Sequence, residues 1–274
     1  MTDLLYGDKM ELYKELCSCD KFFLIVGPCV VEDKKMMIKI AAELVEMTQK
    51  RGIQFIFKSS FKKANRTSIE SPTGPGLIKG LEILSKIKRE FNVPILTDIH
   101  EINEIEEVAK IADILQIPAF LSRQSDLIFA AAKTGKIVNI KKGQFMAPED
   151  MKNAAEKVLA ANNKNILLTE RGTSFGYHNL VVDFRSFAIM KELVYPVIYD
   201  VTHSLQRPSQ NKISGGTPQF ALMMAKAALA TGKVDGLFIE THPNPAEALS
   251  DANSMLKLNE LPKLLDACLK IKGE

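Results

Sequence analysis

The sequence predicts a single-domain (β/α)8 barrel with a short N-terminal extension, and three observations lead there. Short apolar runs rich in strand formers alternate, eight times over, with longer segments of helical character. A chain of 274 residues has the length that eight such units require. Each apolar run ends in polar or charged residues, and a barrel brings all eight strand ends to one rim. A doubly wound sheet is the competing arrangement, but the glycine-rich nucleotide loop it carries after its first strand is missing.

Residues 1–21 precede the first strand and are expected to cover the lower end of the barrel, which occupies residues 22–274. The first strand is Phe22–Val26, followed by a helix over Lys34–Gln49. Ile53–Phe57 and the helix Leu77–Glu90 form the second unit, Val93–Leu96 and Glu104–Ala112 the third, Ile114–Ile117 and Leu127–Lys133 the fourth. Ile137–Ile140 leads to a helix over Pro148–Ala160, where Pro148 suits the first turn and Glu149 and Asp150 suit the positive end of the helix dipole. Ile166–Leu168 leads to Phe184–Glu192, Val197–Tyr199 to Gln219–Ala230, and Gly236–Ile239 to Leu261–Ile271. Gly135 and Gly232 read as helix stops. No linker, low-complexity tract or further repeat interrupts the pattern.

Bulk properties exclude several function classes. Lys and Arg number 36 against 33 acids, a net charge of +3, and tryptophan is absent, so neither a nucleic-acid footprint nor a base-stacking platform is present. No apolar run approaches the ~18 residues that span a bilayer, and the N-terminus has no signal-peptide pattern. Cys17, Cys19, Cys29 and Cys268 show no disulfide framework, so a reducing cytoplasmic location is expected. Cys17 and Cys19 lack the further ligands of a zinc pattern.

Two constellations meet on the expected rim. The first is cationic: Lys58, Lys63 and Arg66 follow the second strand, Lys141 the fifth and Arg171 the sixth. Singly, each reads as a solvated or snorkelling side chain. Together they would focus a positive field on a small polyanionic substrate, or on two anions side by side. The second is metal-like. Cys29 follows strand one, His203 strand seven, and Glu240 ends strand eight; these strands are neighbours in a closed barrel, and Asp251 lies in the next loop. A thiolate, an imidazole and two carboxylates suit Fe(II), Zn(II), Mn(II) or Co(II). Separately, Cys29 reads as a buried small residue and His203 as a general base or core histidine. The long polar loop Ser204–Thr217 is a candidate lid.

The motifs Gly27-Pro28-Cys29, Lys58-Ser59-Ser60-Phe61, Lys63-Ala64-Asn65-Arg66, Thr97-Asp98-Ile99-His100, Gln116-Ile117-Pro118-Ala119-Phe120, Arg123-Gln124, Lys141-Lys142-Gly143-Gln144-Phe145 and Thr169-Glu170-Arg171-Gly172 resemble the 3-deoxy-D-manno-octulosonate 8-phosphate synthase family. The resemblance extends to Phe175-Gly176-Tyr177, Asn179 through Asp183, and Leu249-Ser250-Asp251. It implies a barrel enzyme of lipopolysaccharide synthesis that condenses phosphoenolpyruvate with D-arabinose 5-phosphate and works as a homotetramer. It implies that Lys58, Lys63, Lys141 and Arg171 cradle phosphoenolpyruvate, walled by Gln116 and the Pro118-Ala119 backbone. Asn65 would contact the pentose beside its aldehyde. Arg66 and Thr67 would hold the pentose phosphate, with Arg123 reaching in from a neighbouring subunit. Asp98 resembles the family's acid near the reacting sugar end, and His203 touches both constellations. Cys29, His203, Glu240 and Asp251 match the ligands of the metal-dependent class; relatives with Asn at the first position need no metal. Thr67 stands where serine is usual and keeps the hydroxyl, and Asp251-Ala252-Asn253-Ser254 departs from the usual continuation.

Two other readings compete. A related 3-deoxy-D-arabino-heptulosonate 7-phosphate synthase would use erythrose 4-phosphate, but that family carries Pro-Arg where this chain has Ala64-Asn65-Arg66. A non-catalytic phosphosugar-binding barrel would not need the full set of Lys, Arg, Cys, His, Glu and Asp positions.

Overall fold

The protein, described by a computed structural model over residues 9–66, 68–208 and 215–272, is a closed barrel of parallel strands ringed by helices. The strands are β1 Phe23–Gly27, β2 Phe55–Lys58, β3 Ile95–Asp98, β4 Ile114–Ile117, β5 Ile137–Lys141, β6 Ile166–Glu170, β7 Val197–Asp200 and β8 Gly236–His242. β1 pairs with both β2 and β8, the latter in the register Phe23 to Gly236 through Gly27 to Glu240, which closes the cylinder. The helices are α1 Lys9–Cys17, α2 Lys34–Gln49, α3 Leu77–Phe91, α4 Ile105–Ile111, α5 Ser125–Lys133, α6 Met151–Leu159, α7 Arg185–Lys191, the single turn α8 Val201–Ser204, α9 Ala221–Ala230 and α10 Leu261–Lys272.

Local chemistry sets several boundaries. Asp33 caps α2 by accepting from the backbone N–H of Lys35 and Met36. Gly135 and Gly232, just past α5 and α9, hold positive φ of 66° and 68°, the left-handed turn a helix stop requires. α4 starts one residue later than its sequence pattern implies, because Ile102–Glu104 forms a tighter turn closed by a reciprocal Glu101–Glu104 capping box. Likewise Pro148–Asp150 and Pro218–Phe220 are tight turns leading into α6 and α9.

The strands depart from their expected limits in one direction: most run past the last apolar residue into the polar rim. The cause is the two-residue period of a strand. Inside the barrel, Phe23, Ile25, Ile56, Leu96, Ile114, Ile137, Leu167, Ile198 and Phe238 form one apolar cluster, sealed by Leu16 of α1. One step up, the same inward face carries Lys58, Asp98, Gln116, Asn139, Thr169, Asp200 and Glu240, all buried. These side chains bond to one another across strands, so the pleat continues where hydrophobicity stops. α1 lies across the opposite end, with Leu12 and Tyr13 against the cluster and the Tyr13 hydroxyl donating to the Ile166 carbonyl at 3.2 Å. Residues 1–8 of the extension lie outside the described residues.

Candidate active site

A single cleft at the carboxyl ends of the strands gathers most of the expected residues. Its wall includes Cys29, Lys58, Lys63, Asn65, Asp98, Gln116, Pro118, Ala119, Lys141, Arg171, His203 and Glu240. Asp251 belongs with them through its contacts, accepting from the Cys29 thiol at 3.1 Å and pairing with the Lys63 ammonium. Arg66 is half-buried and does not line the cleft, and its Nε is buried without a hydrogen-bond partner. Arg123 is exposed outside the cleft. Thr67 and residues 209–214 of the expected lid lie outside the described residues. The flanks of that loop pair as antiparallel strands, Gln206–Arg207 with Gly215–Gly216, and Gln206 accepts from Arg171 Nη2 at 2.9 Å.

The cationic residues are not a bare positive field. Lys58 lies 2.5 Å from Glu240, Lys141 lies 2.6 Å from Asp200, and Lys63 pairs with Asp251. Burial alone would push the Lys58 ammonium toward neutrality, but Glu240, Cys29 and Asp98 hold it protonated. Lys63 is likewise held protonated against burial, chiefly by Asp251. Lys58 and Lys141 rest over the Phe238 ring, 5.6 and 3.8 Å from its centroid, so the top of the apolar cluster is also the floor of the cradle. Arg171 is different: it is 5% exposed, and its Nη1 is buried without a hydrogen-bond partner. A desolvated guanidinium with an open donor is a socket for an anion.

The donor set is equally organised. Ligand atoms of Cys29, Glu240 and Asp251 all lie within 4.8 Å of one another. His203 Nε2 lies 3.5 Å from Glu240 Oε2 and 3.8 Å from Asp251 Oδ2. Asp200 binds the other ring nitrogen, Nδ1, at 2.8 Å and also accepts from the His203 backbone N–H, which aims Nε2 at the carboxylates. Glu240 Oε2 is buried with no hydrogen-bond partner, and a cation would satisfy it. Burial and the neighbouring Asp251 and Glu240 push the Cys29 thiol far up. A divalent cation reverses that, because the metal-bound form is the thiolate. By this test Cys29, Glu240 and Asp251 could hold a metal, with His203 facing the two carboxylates.

Loop geometry fixes where these groups stand. A Cβ added to Gly27 would lie 2.1 Å from the Lys58 carbonyl oxygen, so only glycine lets β1 run this close to Lys58 and deliver Cys29 beside it. Behind the cradle, fully buried Lys142 lies 3.4 Å from Glu170 and donates to the Met146 carbonyl at 3.2 Å, while Glu170 accepts from the Gly172 N–H at 2.7 Å. That pair ties the loops carrying Lys141 and Arg171 together.

Sequence reasoning gave no individual role to Ser60, His100 and Gln144, which also line the cleft, or to the buried Asn139, Thr169 and Asp200 beneath it. A signal was available for the buried three. Each is a polar residue two positions beyond an inward apolar residue of the same strand, and polar groups are rarely buried there without a partner.

The chain's similarities agree with this geometry. The model of the DAHP synthetase I family matches residues 17–272. The 2-dehydro-3-deoxyphosphooctonate aldolase of Fusobacterium nucleatum subsp. nucleatum is 53% identical over 252 residues, covering 92% of this chain and 90% of the relative. The enzyme of that name from Rickettsia typhi is 53% identical over 246 residues, 89% of each chain. That from Polaromonas sp. is 52% identical over 269 residues, 94% of each chain.

Proposed function

Because the chain belongs to the DAHP synthetase I family, we propose that it acts as its octonate-named relatives do, condensing phosphoenolpyruvate with D-arabinose 5-phosphate and water to give 3-deoxy-D-manno-octulosonate 8-phosphate and phosphate. The product serves lipopolysaccharide biosynthesis. The observation that carries this reading is the Arg171 guanidinium, buried with an open donor in the cleft that Lys141 and Lys58 also line. It supports the role of these three, with Lys63, in holding the carboxylate and phosphate of phosphoenolpyruvate.

Carbon 3 of phosphoenolpyruvate attacks the aldehyde carbon of the pentose, and water adds to carbon 2. The resulting hemiketal phosphate loses inorganic phosphate by C–O cleavage. Both substrates are anions, so the clustered ammonium and guanidinium groups offset their repulsion and fix their relative orientation. Asn65 at the rim and Asp98 deeper in the cleft flank the space for the sugar's reacting end. Burial would raise the Asp98 carboxyl, but Lys58, His100, Lys141 and the Ser60 hydroxyl hold it at about 2, so it is an acceptor at neutral pH. Arg66, Thr67 and a neighbouring subunit's Arg123 hold the pentose phosphate in this reading, which needs an oligomer and takes it to be a homotetramer. The exposed position of Arg123 is compatible with such sharing.

Cys29, His203, Glu240 and Asp251 would hold one divalent ion, Fe, Zn, Mn or Co. Such an ion supplies Lewis-acid polarisation or a site for water. A cytoplasmic location belongs to this reading and is supported by the four unpaired cysteines.

The test follows phosphate release from phosphoenolpyruvate with arabinose 5-phosphate and, separately, with erythrose 4-phosphate. Turnover confined to the five-carbon sugar is expected. Equal or better turnover with erythrose 4-phosphate overturns the assignment, and none with either returns the chain to a binding role. Chelation is expected to abolish turnover and Mn(II), Fe(II) or Zn(II) to restore it. Full activity in verified metal-free protein refutes the metal reading.

A further inference from the structure

We infer that Asn139 and Thr169 are positioning residues for the condensation, acting through Gln116 to hold Asp98 as a pure acceptor at the cleft. This rests on the activity proposed above. Five buried side chains from neighbouring strands and their loops form one chain of hydrogen bonds. Thr169 Oγ1 donates to Asn139 Oδ1 at 2.7 Å, Asn139 Nδ2 to Gln116 Oε1 at 2.8 Å, and Gln116 Nε2 to Asp98 Oδ1 at 2.7 Å. Ser60 Oγ donates to the other Asp98 oxygen. Asn139 and Thr169 are completely buried, Gln116 is 1% exposed, and neither Asn139 nor Thr169 lines the cleft.

The direction of this chain is forced. An ionised carboxylate only accepts, so the Gln116 amide must turn its nitrogen to Asp98. Its oxygen then needs a donor, which only the nitrogen end of Asn139 supplies among these partners. The Asn139 oxygen is left facing Thr169, whose hydroxyl supplies the proton. Reversing any link sets oxygen against oxygen among buried groups, where an unmet polar group is strongly penalised. The polarity of a threonine on β6 is thereby transmitted to an acid on β3. A purely structural network would not need a single direction ending at a group in the cleft.

The test compares Thr169→Ser, Thr169→Val and Asn139→Asp with the wild type, reading kcat and the KM for each substrate together with the thermal midpoint. Thr169→Ser keeps the donor and is expected within about twofold of wild type. Thr169→Val keeps the shape and removes the donor, and a kcat loss of about 5- to 20-fold is expected. Asn139→Asp offers an acceptor to Gln116 Oε1 and turns the amide round, so a loss beyond about 100-fold is expected. In Thr169→Val the phosphoenolpyruvate KM should stay within about twofold, since Lys58, Lys63, Lys141 and Arg171 are untouched and the Gln116 amide keeps its partners. Wild-type kcat in Thr169→Val, or a loss reproduced by Thr169→Ser, overturns the inference, as does a Thr169→Val loss expressed in phosphoenolpyruvate KM. If Asn139→Asp does not fold, the two threonine variants decide. Failure of the functional reading itself shows differently, as an inactive wild type.

Discussion

Replacing Asp200 with asparagine removes one charge from a triangle that serves both constellations. Asp200 is completely buried, 2.6 Å from the Lys141 ammonium and 2.8 Å from His203 Nδ1. His203 and Lys141 outweigh burial and hold its carboxyl far below the usual range. At an effective dielectric near 20, unit charges 2.6 Å apart attract by about 6 kcal/mol, part of which offsets desolvation. Removing one member of such a buried pair costs about 3–5 kcal/mol, because the other charge is left without a partner. In a chain of this size each kcal/mol moves the midpoint by about 2 °C or slightly more, so Asp200→Asn should melt at least about 6 °C lower. The assay is a double-mutant cycle in urea with Lys141→Met, which separates the pair from what each residue does alone, such as the contact of Lys141 with Phe238. A coupling of about 3 kcal/mol is expected. Additivity within about 0.5 kcal/mol would show that Asp200 and Lys141 are not energetically paired and would refute the reasoning.

Two further outcomes follow from the same geometry. Gly27→Ala places a methyl against the Lys58 carbonyl and must part β1 from β2, so a loss of at least about 3 kcal/mol or failure to accumulate as folded protein is expected. A variant of near wild-type stability by thermal unfolding would contradict the close approach. Asp98 is ionised with its pKa depressed to about 2 in the folded state, against about 3.8 when unfolded. Its stabilising contribution is therefore complete above the unfolded value and is lost as pH falls through the folded one. The stability gap between wild type and Asp98→Asn should be constant from pH 7 to 5 and narrow between about pH 4 and 2. A gap that widens on acidification in urea titrations would show the sign to be wrong.

Much of the site was already legible along the chain. Lys58 and Lys141 stand directly after apolar runs and Arg171 three residues after one, where a strand end announces a rim residue. Cys29, His203 and Glu240 could be grouped because closure of a barrel makes strands one, seven and eight neighbours, and the pairings β7–β8 and β8–β1 bring them together. What stayed hidden was pairing. The sequence counts cations and acids separately, whereas the fold sets Lys58 on Glu240 and Lys141 on Asp200, turning an expected positive field into ion pairs beside the open guanidinium of Arg171.

By itself, then, the sequence determined the barrel and the inventory of its rim, because strand period, helix spacing and the polar ends of apolar runs are local properties. Only the tertiary structure decided which side chains meet. Asp251 reaches Cys29 across 222 residues, and Thr169 reaches Asp98 through Asn139 and Gln116. Such contacts depend on how neighbouring strands are staggered around a closed sheet, a quantity set by the packing of all eight strands together rather than by any one of them.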